Sequence, residues 1–186
     1  MIAIETKIKG AYIINPVIKE DDRGCFYTSF NRDVYTQSGM FNFNIAQMNT
    51  SISKNNVIRG LHYQSGLDTQ TKLVWVSYGM VLDVFVDLRV YSPTYGMWDS
   101  VQLSPNGNRL YIPKGCAHGF RSLWDDTVFN YLCSNNWNKE AERTLIWNDP
   151  TLGIDWGSMI HGDNAIISPK DQQGVTFEEC EKFYEL

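Results

Sequence analysis

The sequence predicts a mainly β domain, an antiparallel sandwich or jelly roll with few short helices, on three observations. Clusters of Gly, Pro, Asn and Asp recur about every ten residues from Tyr12 to Ile167 and mark turns. Between them, β-branched and aromatic residues alternate with small or polar ones at the two-residue period of a half-buried strand. Helical periodicity is scarce, so little of the chain can form the crossovers that parallel strands need.

Taken in chain order, strands are predicted over residues 13–19, 24–30, 44–53 and 57–64, with a short helix at 32–38. The clearest pair comes next, 72–78 and 81–89, which reads as a hairpin joined across Gly79-Met80. Strands over 100–103, 109–112, 119–122 and 127–134 follow, and a helical turn near 177–184 ends the series. No repeat or linker interrupts it, and 186 residues with 43% hydrophobic and 13% aromatic positions suit one core. A single domain over residues 1–186 is expected, with a small-ligand site in the barrel mouth.

Composition restricts the partners. A formal charge of -5 argues against broad contact with nucleic acid, which requires a basic face, so a phosphate-bearing ligand must be held by a few local Arg and Lys residues. No apolar run approaches the roughly 20 residues of a membrane helix, and Met1 to Lys7 lack the pattern of a signal peptide, so a cytoplasmic location is expected. Cys25, Cys116, Cys133 and Cys180 form no Cys-x-x-Cys pair and are expected as reduced, mostly buried thiols.

Three histidines can be weighed singly. His62 lies on a predicted strand three residues after Arg59 and next but one to Gly60, as a base or as a hydrogen-bonded core residue. His118 closes a Pro-x-Gly-x-x-His turn, Pro113 to His118, of the kind that carries a metal ligand in cupin barrels. The His-x-His pair such a metal site also needs reads His62-Tyr63-Gln64 here, so no metal is expected. His161, in a polar loop, is expected to face solvent.

Among other groups, Lys72 shares a strand face with Val74 and Val76, either buried against an anion or snorkelling at an edge. Tyr131 shares a face with Phe129 and Cys133, where a phenol is either structural or able to return a proton to carbon. Asp171 is a candidate to orient His62 and stabilise its imidazolium, with Asp83 and Asp87 as rivals.

In order along nearly the whole chain, these segments resemble the dTDP-4-dehydrorhamnose 3,5-epimerase family. The resemblance rests on Asp22-Arg23-Gly24 with Phe26, Gln47-x-Asn49-x-Ser51-x-Ser53, Arg59-Gly60-Leu61-His62-Tyr63-Gln64, Lys72-Leu73-Val74, Asp83-Val84-x-Val86-Asp87-Leu88-Arg89, Ala117-His118-Gly119-Phe120, Trp147-Asn148-Asp149-Pro150 and Ile154-Asp155-Trp156. It implies a cupin-like jelly roll acting as a homodimer on a nucleotide-diphosphate 4-keto-6-deoxyhexose, in deoxysugar or surface-polysaccharide biosynthesis. His62 would be the base supported by Asp171, Tyr131 the opposing acid, and Lys72 the group that meets the enolate oxygen.

The same resemblance carries substrate binding to Arg23, Phe26, Gln47, Asn49, Arg59, His118, Glu142 and Lys170, with Trp137 stacking on the base. No cofactor is implied, since the ketone already acidifies the neighbouring C–H bonds. Departures from the family pattern fall at Thr28, Met48, Trp137 and Gly157, the first three expected in the nucleotide-recognition shell. Two alternatives stand beside double epimerisation: inversion at C3 or C5 alone, and a non-catalytic or metal-binding cupin.

Overall fold

Alternation of apolar and polar side chains becomes strand wherever one face can be buried, and fourteen strands form among the residues that the computed structural model describes, 2–37, 44–105, 107–157 and 165–184. In chain order they are β1 (Ile2–Glu5), β2 (Tyr12–Asn15), β3 (Lys19–Asp21), β4 (Gly24–Phe26), β5 (Gln47–Ser53), β6 (Val57–Gln64), β7 (Lys72–Tyr78), β8 (Val81–Asp87), β9 (Trp98–Leu103), β10 (Arg109–Ile112), β11 (Cys116–Ser122), β12 (Thr127–Cys133), β13 (Glu142–Thr144) and β14 (Ile166–Ile167). Two short helices join them, α1 (Arg32–Gln37) and α2 (Pro169–Gln172).

Twelve of these strands form two facing sheets, and β3 and β4 pair as a separate hairpin. The first has the order β1-β2-β10-β7-β12-β5, and the second β13-β6-β11-β8-β9, with β14 added parallel to β6. All other strand pairs are antiparallel, the arrangement of a cupin-like jelly roll. Between the sheets lie Val74, Val76, Leu110, Ile112 and Phe129 from the first and Val81, Phe85, Leu103 and Phe120 from the second. A second cluster covers the outer face of the second sheet with Leu145, Leu152, Trp156 and Phe183, and a third covers the first sheet with Phe30 and Tyr35.

Several elements differ from the sequence prediction. The expected hairpin of 72–78 with 81–89 does not form: β7 lies in the first sheet and β8 in the second. Gly79, at φ +79, and Met80, whose N–H donates to Thr127 Oγ1, turn the chain from one sheet into the other. Both strands are apolar enough to supply separate walls of one core, so facing across the sandwich buries more surface than pairing edge to edge. The 81–89 strand also ends early, because the Asp87 carboxylate takes the Arg89 backbone N–H and folds the chain away.

The 13–19 prediction splits after Asn15, since Pro16 has no N–H for the ladder. The 24–30 prediction shortens to β4, and Phe30 turns off to stack on Tyr35 with ring centroids 5.2 Å apart. Ser38, predicted to end the first helix, and His161 lie outside the described residues. Near 177–184 the chain makes one turn, with Cys180 N–H donating to Thr176 O, then extends so that Phe183 bridges Arg89. Three of the four cysteines are buried and Cys25 is exposed; all are free thiols. No helix among the described residues is long and apolar enough to cross a membrane.

Candidate active site

Alternation decides which side chains enter the barrel. On β5, Gln47, Asn49 and Ser51 point inward, and Met48 points out, 58% exposed. On β7 and β12, Lys72 stands beside Cys133 in register, and Tyr131 stands between Val74 and Asn49. From the opposite sheet, His62 on β6 and His118 on β11 are direct register partners. These residues line one cavity of about 480 Å³, which Phe120 and Phe129 join to the apolar core.

His62 Nε2 lies 2.6 Å from Asp171 Oδ1. The aspartate is held from two directions: the Gly60 N–H donates to its Oδ2 at 3.2 Å, and its own N–H donates to Ser168 Oγ, the N-cap of α2. Pro169 opens that helix at the position where a missing N–H costs nothing. Burial pushes the Asp171 carboxyl up, but the hydrogen bond and charge of His62, with Gly60 and Ser168, outweigh it and hold the group below its ordinary value. Gly60 is required there: at φ +123, an added Cβ would fall 2.6 Å from the Gly119 Cα and 2.8 Å from the His118 carbonyl oxygen.

Lys72 is 8% exposed, and its Nζ donates to the His62 carbonyl at 3.3 Å. Burial drives its pKa down, opposed by nearby Cys133, Asp83 and Glu142, so an ammonium here gains from any further negative charge. Burial raises the Tyr131 phenol, which therefore keeps its proton at neutral pH. His118 donates to or accepts from both oxygens of the fully buried Asp83, each at 3.0 Å; burial lowers the pKa of this imidazole and keeps it neutral.

At the rim, Trp137 is 54% exposed, and its backbone N–H donates to Gln47 Oε1 at 2.7 Å; Gln47 in turn donates to Asn49 Oδ1. Arg59 Nε donates to Ser53 Oγ and its Nη2 to the Ile52 carbonyl at 3.4 Å, with the side chain lining the opening. Glu142 lines the cavity and pairs with Lys170 at 2.5 Å, while Lys170 itself opens onto a neighbouring cleft with Arg59, His62 and Asp171.

Eleven of the thirteen predicted site residues are thus brought to this cavity or its immediate rim, and Arg23 and Phe26 are not. Both sit on the exposed β3–β4 hairpin, Arg23 paired with Asp21 at 2.6 Å and Phe26 69% exposed. Asp83 serves His118, and Asp87 is consumed by Arg89, Ser92 and Thr94, so neither rival partners His62. Of the departures assigned to nucleotide recognition, Trp137 borders the cavity, while Met48 faces away and Thr28 lines a different pocket.

Eight cavity-lining residues were not predicted for the site, among them Ser51, Gln70 and Cys133. Ser51, whose buried hydroxyl has no partner, continues the alternation of Gln47 and Asn49, a signal present in the sequence. Gln70 and Cys133 enter by their place in the fold, and Cys133 also follows from the period of β12. Where a cupin metal site would have its second histidine, Gln64 is engaged by backbone, donating to Asp68 O and Asn136 O and accepting from Asn138 N–H. Among the described residues, no group of three His, Cys, Asp or Glu side chains is placed to hold a metal ion.

Fold and cavity define the class first: an enzyme of the cupin-like jelly-roll type with acid and base groups in the barrel mouth. The chain belongs to the dTDP-4-dehydrorhamnose 3,5-epimerase family, whose model matches residues 5–179. It is 41% identical over 180 residues to the dTDP-4-dehydrorhamnose 3,5-epimerase of Escherichia coli, covering 96% of both chains. A crystal structure of that enzyme from Elizabethkingia anophelis superposes with a TM-score of 0.91 at 41% identity, covering 96% of this chain and 97% of the other. The Legionella pneumophila dTDP-6-deoxy-D-glucose-3,5-epimerase, in complex with dTDP-4-keto-L-rhamnose, also gives 0.91, at 40% identity and 99% and 98% coverage.

Proposed function

We propose that this chain inverts C3 and C5 of a dTDP-linked 4-keto-6-deoxyhexose by removing a proton beside the ketone and returning one from the opposite face. The observation that carries this is the entry of His62 and Tyr131 into one cavity from opposite sheets, with Lys72 reaching the same space. His62, oriented by Asp171, takes the proton; the electron pair moves onto the ketone oxygen, where the Lys72 ammonium meets the enolate charge. Tyr131 then supplies a proton to the other face of the carbon. Substrate loses one proton and gains one, and the two side chains reset by exchange with water.

The ligand's diphosphate would lie along Arg59, His118 and Lys170, and the base would stack on Trp137 with Gln47, Asn49 and Glu142 framing it. The complex of the Legionella relative with dTDP-4-keto-L-rhamnose supports this substrate class. Proton NMR of the product formed in deuterated water tests it: deuterium at both C3 and C5 supports double epimerisation, and label at C3 alone reassigns the chain to mono-epimerisation.

A homodimer would bring Arg23 and Phe26 of one copy to the cavity of the other, accounting for their position on an exposed hairpin. Mixing His62→Ala with Arg23→Ala protein would then rebuild one complete site in each hybrid. Roughly a quarter of wild-type activity is expected from random pairing. Activity no higher than that of the separate variants would reject this arrangement.

A further inference from the structure

We propose that a second cavity, on the outer face of the first sheet, binds a small organic monocarboxylate through Arg109. Alternation along β10 sends Leu110 and Ile112 into the barrel and Arg109 outward, so this cavity and the active site lie on opposite faces of one sheet. The guanidinium is nonetheless 2% exposed, 5.6 Å from the ring centroids of both Tyr27 and Trp75. Its Nη1 donates to the Gly107 carbonyl, and its Nε, buried, has no hydrogen-bond partner. No carboxylate among the described residues pairs with it.

A buried cation without an anion is an incomplete electrostatic arrangement, and two aromatic faces compensate it only in part. What is missing can be described chemically. The adjoining cavity measures about 220 Å³ and is walled by Ile14, Pro16, Val17, Tyr27 and Tyr35 beside Arg109, with the exposed Lys19 and Phe26 also lining it and no acidic side chain among its described lining residues. A planar carboxylate matches a guanidinium edge and supplies one negative charge for one buried positive charge. The apolar walls around the guanidinium favour an apolar body behind the carboxylate. The volume suits a body of about one ring and is too small for a nucleotide.

The test uses benzoate as the probe, with benzamide as its uncharged counterpart, titrated into the full-length protein and followed by calorimetry and protein NMR. Saturable benzoate binding is expected, undiminished by saturating dTDP, with shifts at Tyr27, Tyr35 and Trp75 and none from benzamide. Arg109→Gln should weaken benzoate at least about tenfold while epimerase activity is retained. Arg109→Lys, which keeps the charge but not the fork, should also weaken it; the benzoate and benzamide comparison stands on wild type alone if a variant does not fold. Absence of benzoate binding, equal binding of benzamide, or displacement by dTDP would overturn the proposal. So would a loss of dimer on Arg109→Gln without benzoate binding to wild type, which would make the occupant a carboxylate of a second copy.

Discussion

Two histidine–carboxylate pairs stand side by side across β6 and β11, built from the same residue types and placed in different physical surroundings. His62 shares a single 2.6 Å contact with Asp171, and its side chain is 31% exposed towards the cavity. His118 spans both oxygens of Asp83 at 3.0 Å, with the pair almost wholly buried. A base must exchange its proton with water; a pair that holds the cavity wall and a ligand's phosphate need not. Exposure, not residue identity, therefore separates the pair suited to proton transfer from the pair suited to holding the cavity wall.

The largest expected effect falls on the outer pair. His62→Ala should lower turnover by about 10³-fold or more, within the usual range for a general base, while dTDP affinity measured by calorimetry stays near wild type. A comparable turnover loss on replacing Asp83 would erase the distinction. Next, Lys72→Met should cost about 10²- to 10³-fold in kcat, as for loss of an oxyanion donor, without lowering the urea midpoint, because methionine removes a buried ammonium. In the wild type, kcat should fall with a single ionisation as pH rises through the depressed Lys72 pKa, below its ordinary 10.5.

Asp171→Asn should follow, with about 10²-fold lost from kcat as the imidazole loses its orienting anion. Asp83→Asn should invert the pattern: a loss of about 2 kcal/mol in stability by chemical denaturation, with kcat reduced by less than about tenfold. The smallest effect concerns acid stability. Asp171 has a folded pKa below its ordinary 3.8, so its contribution is complete above that pH and is lost as pH falls through the folded value. Wild type should exceed Asp171→Asn by about 1 kcal/mol at pH 7, and the gap should close towards pH 2.

Much of this was legible in the chain itself. The period-two alternation that makes 57–64 and 109–112 strands also puts Gln47, Asn49 and Ser51 on one face and Lys72 beside Val74 and Val76. Partner choice was not legible: 72–78 and 81–89 look like a hairpin by local pattern, yet only the two-sheet core decides that they part at Gly79. β1, β13, β14 and α2 are two to four residues long, too short to express a period. Asp171 lies 109 positions from His62; residue chemistry made it one candidate partner beside Asp83 and Asp87, and family resemblance, not spacing, chose among them. The same resemblance assigned Arg23 and Phe26 to substrate, and within one chain the hairpin leaves them outside the cavity.

The most direct test of the outer pair is carbon-bound hydrogen exchange, followed by proton NMR of a dTDP-4-keto-6-deoxyhexose in deuterated water with wild type and His62→Ala protein at equal dTDP saturation. Wild type should replace the hydrogens flanking the ketone with deuterium, and His62→Ala should leave them in place over the same period. Exchange by His62→Ala at near wild-type rate would mean that another group removes the proton and that the exposed imidazole has been given the wrong role.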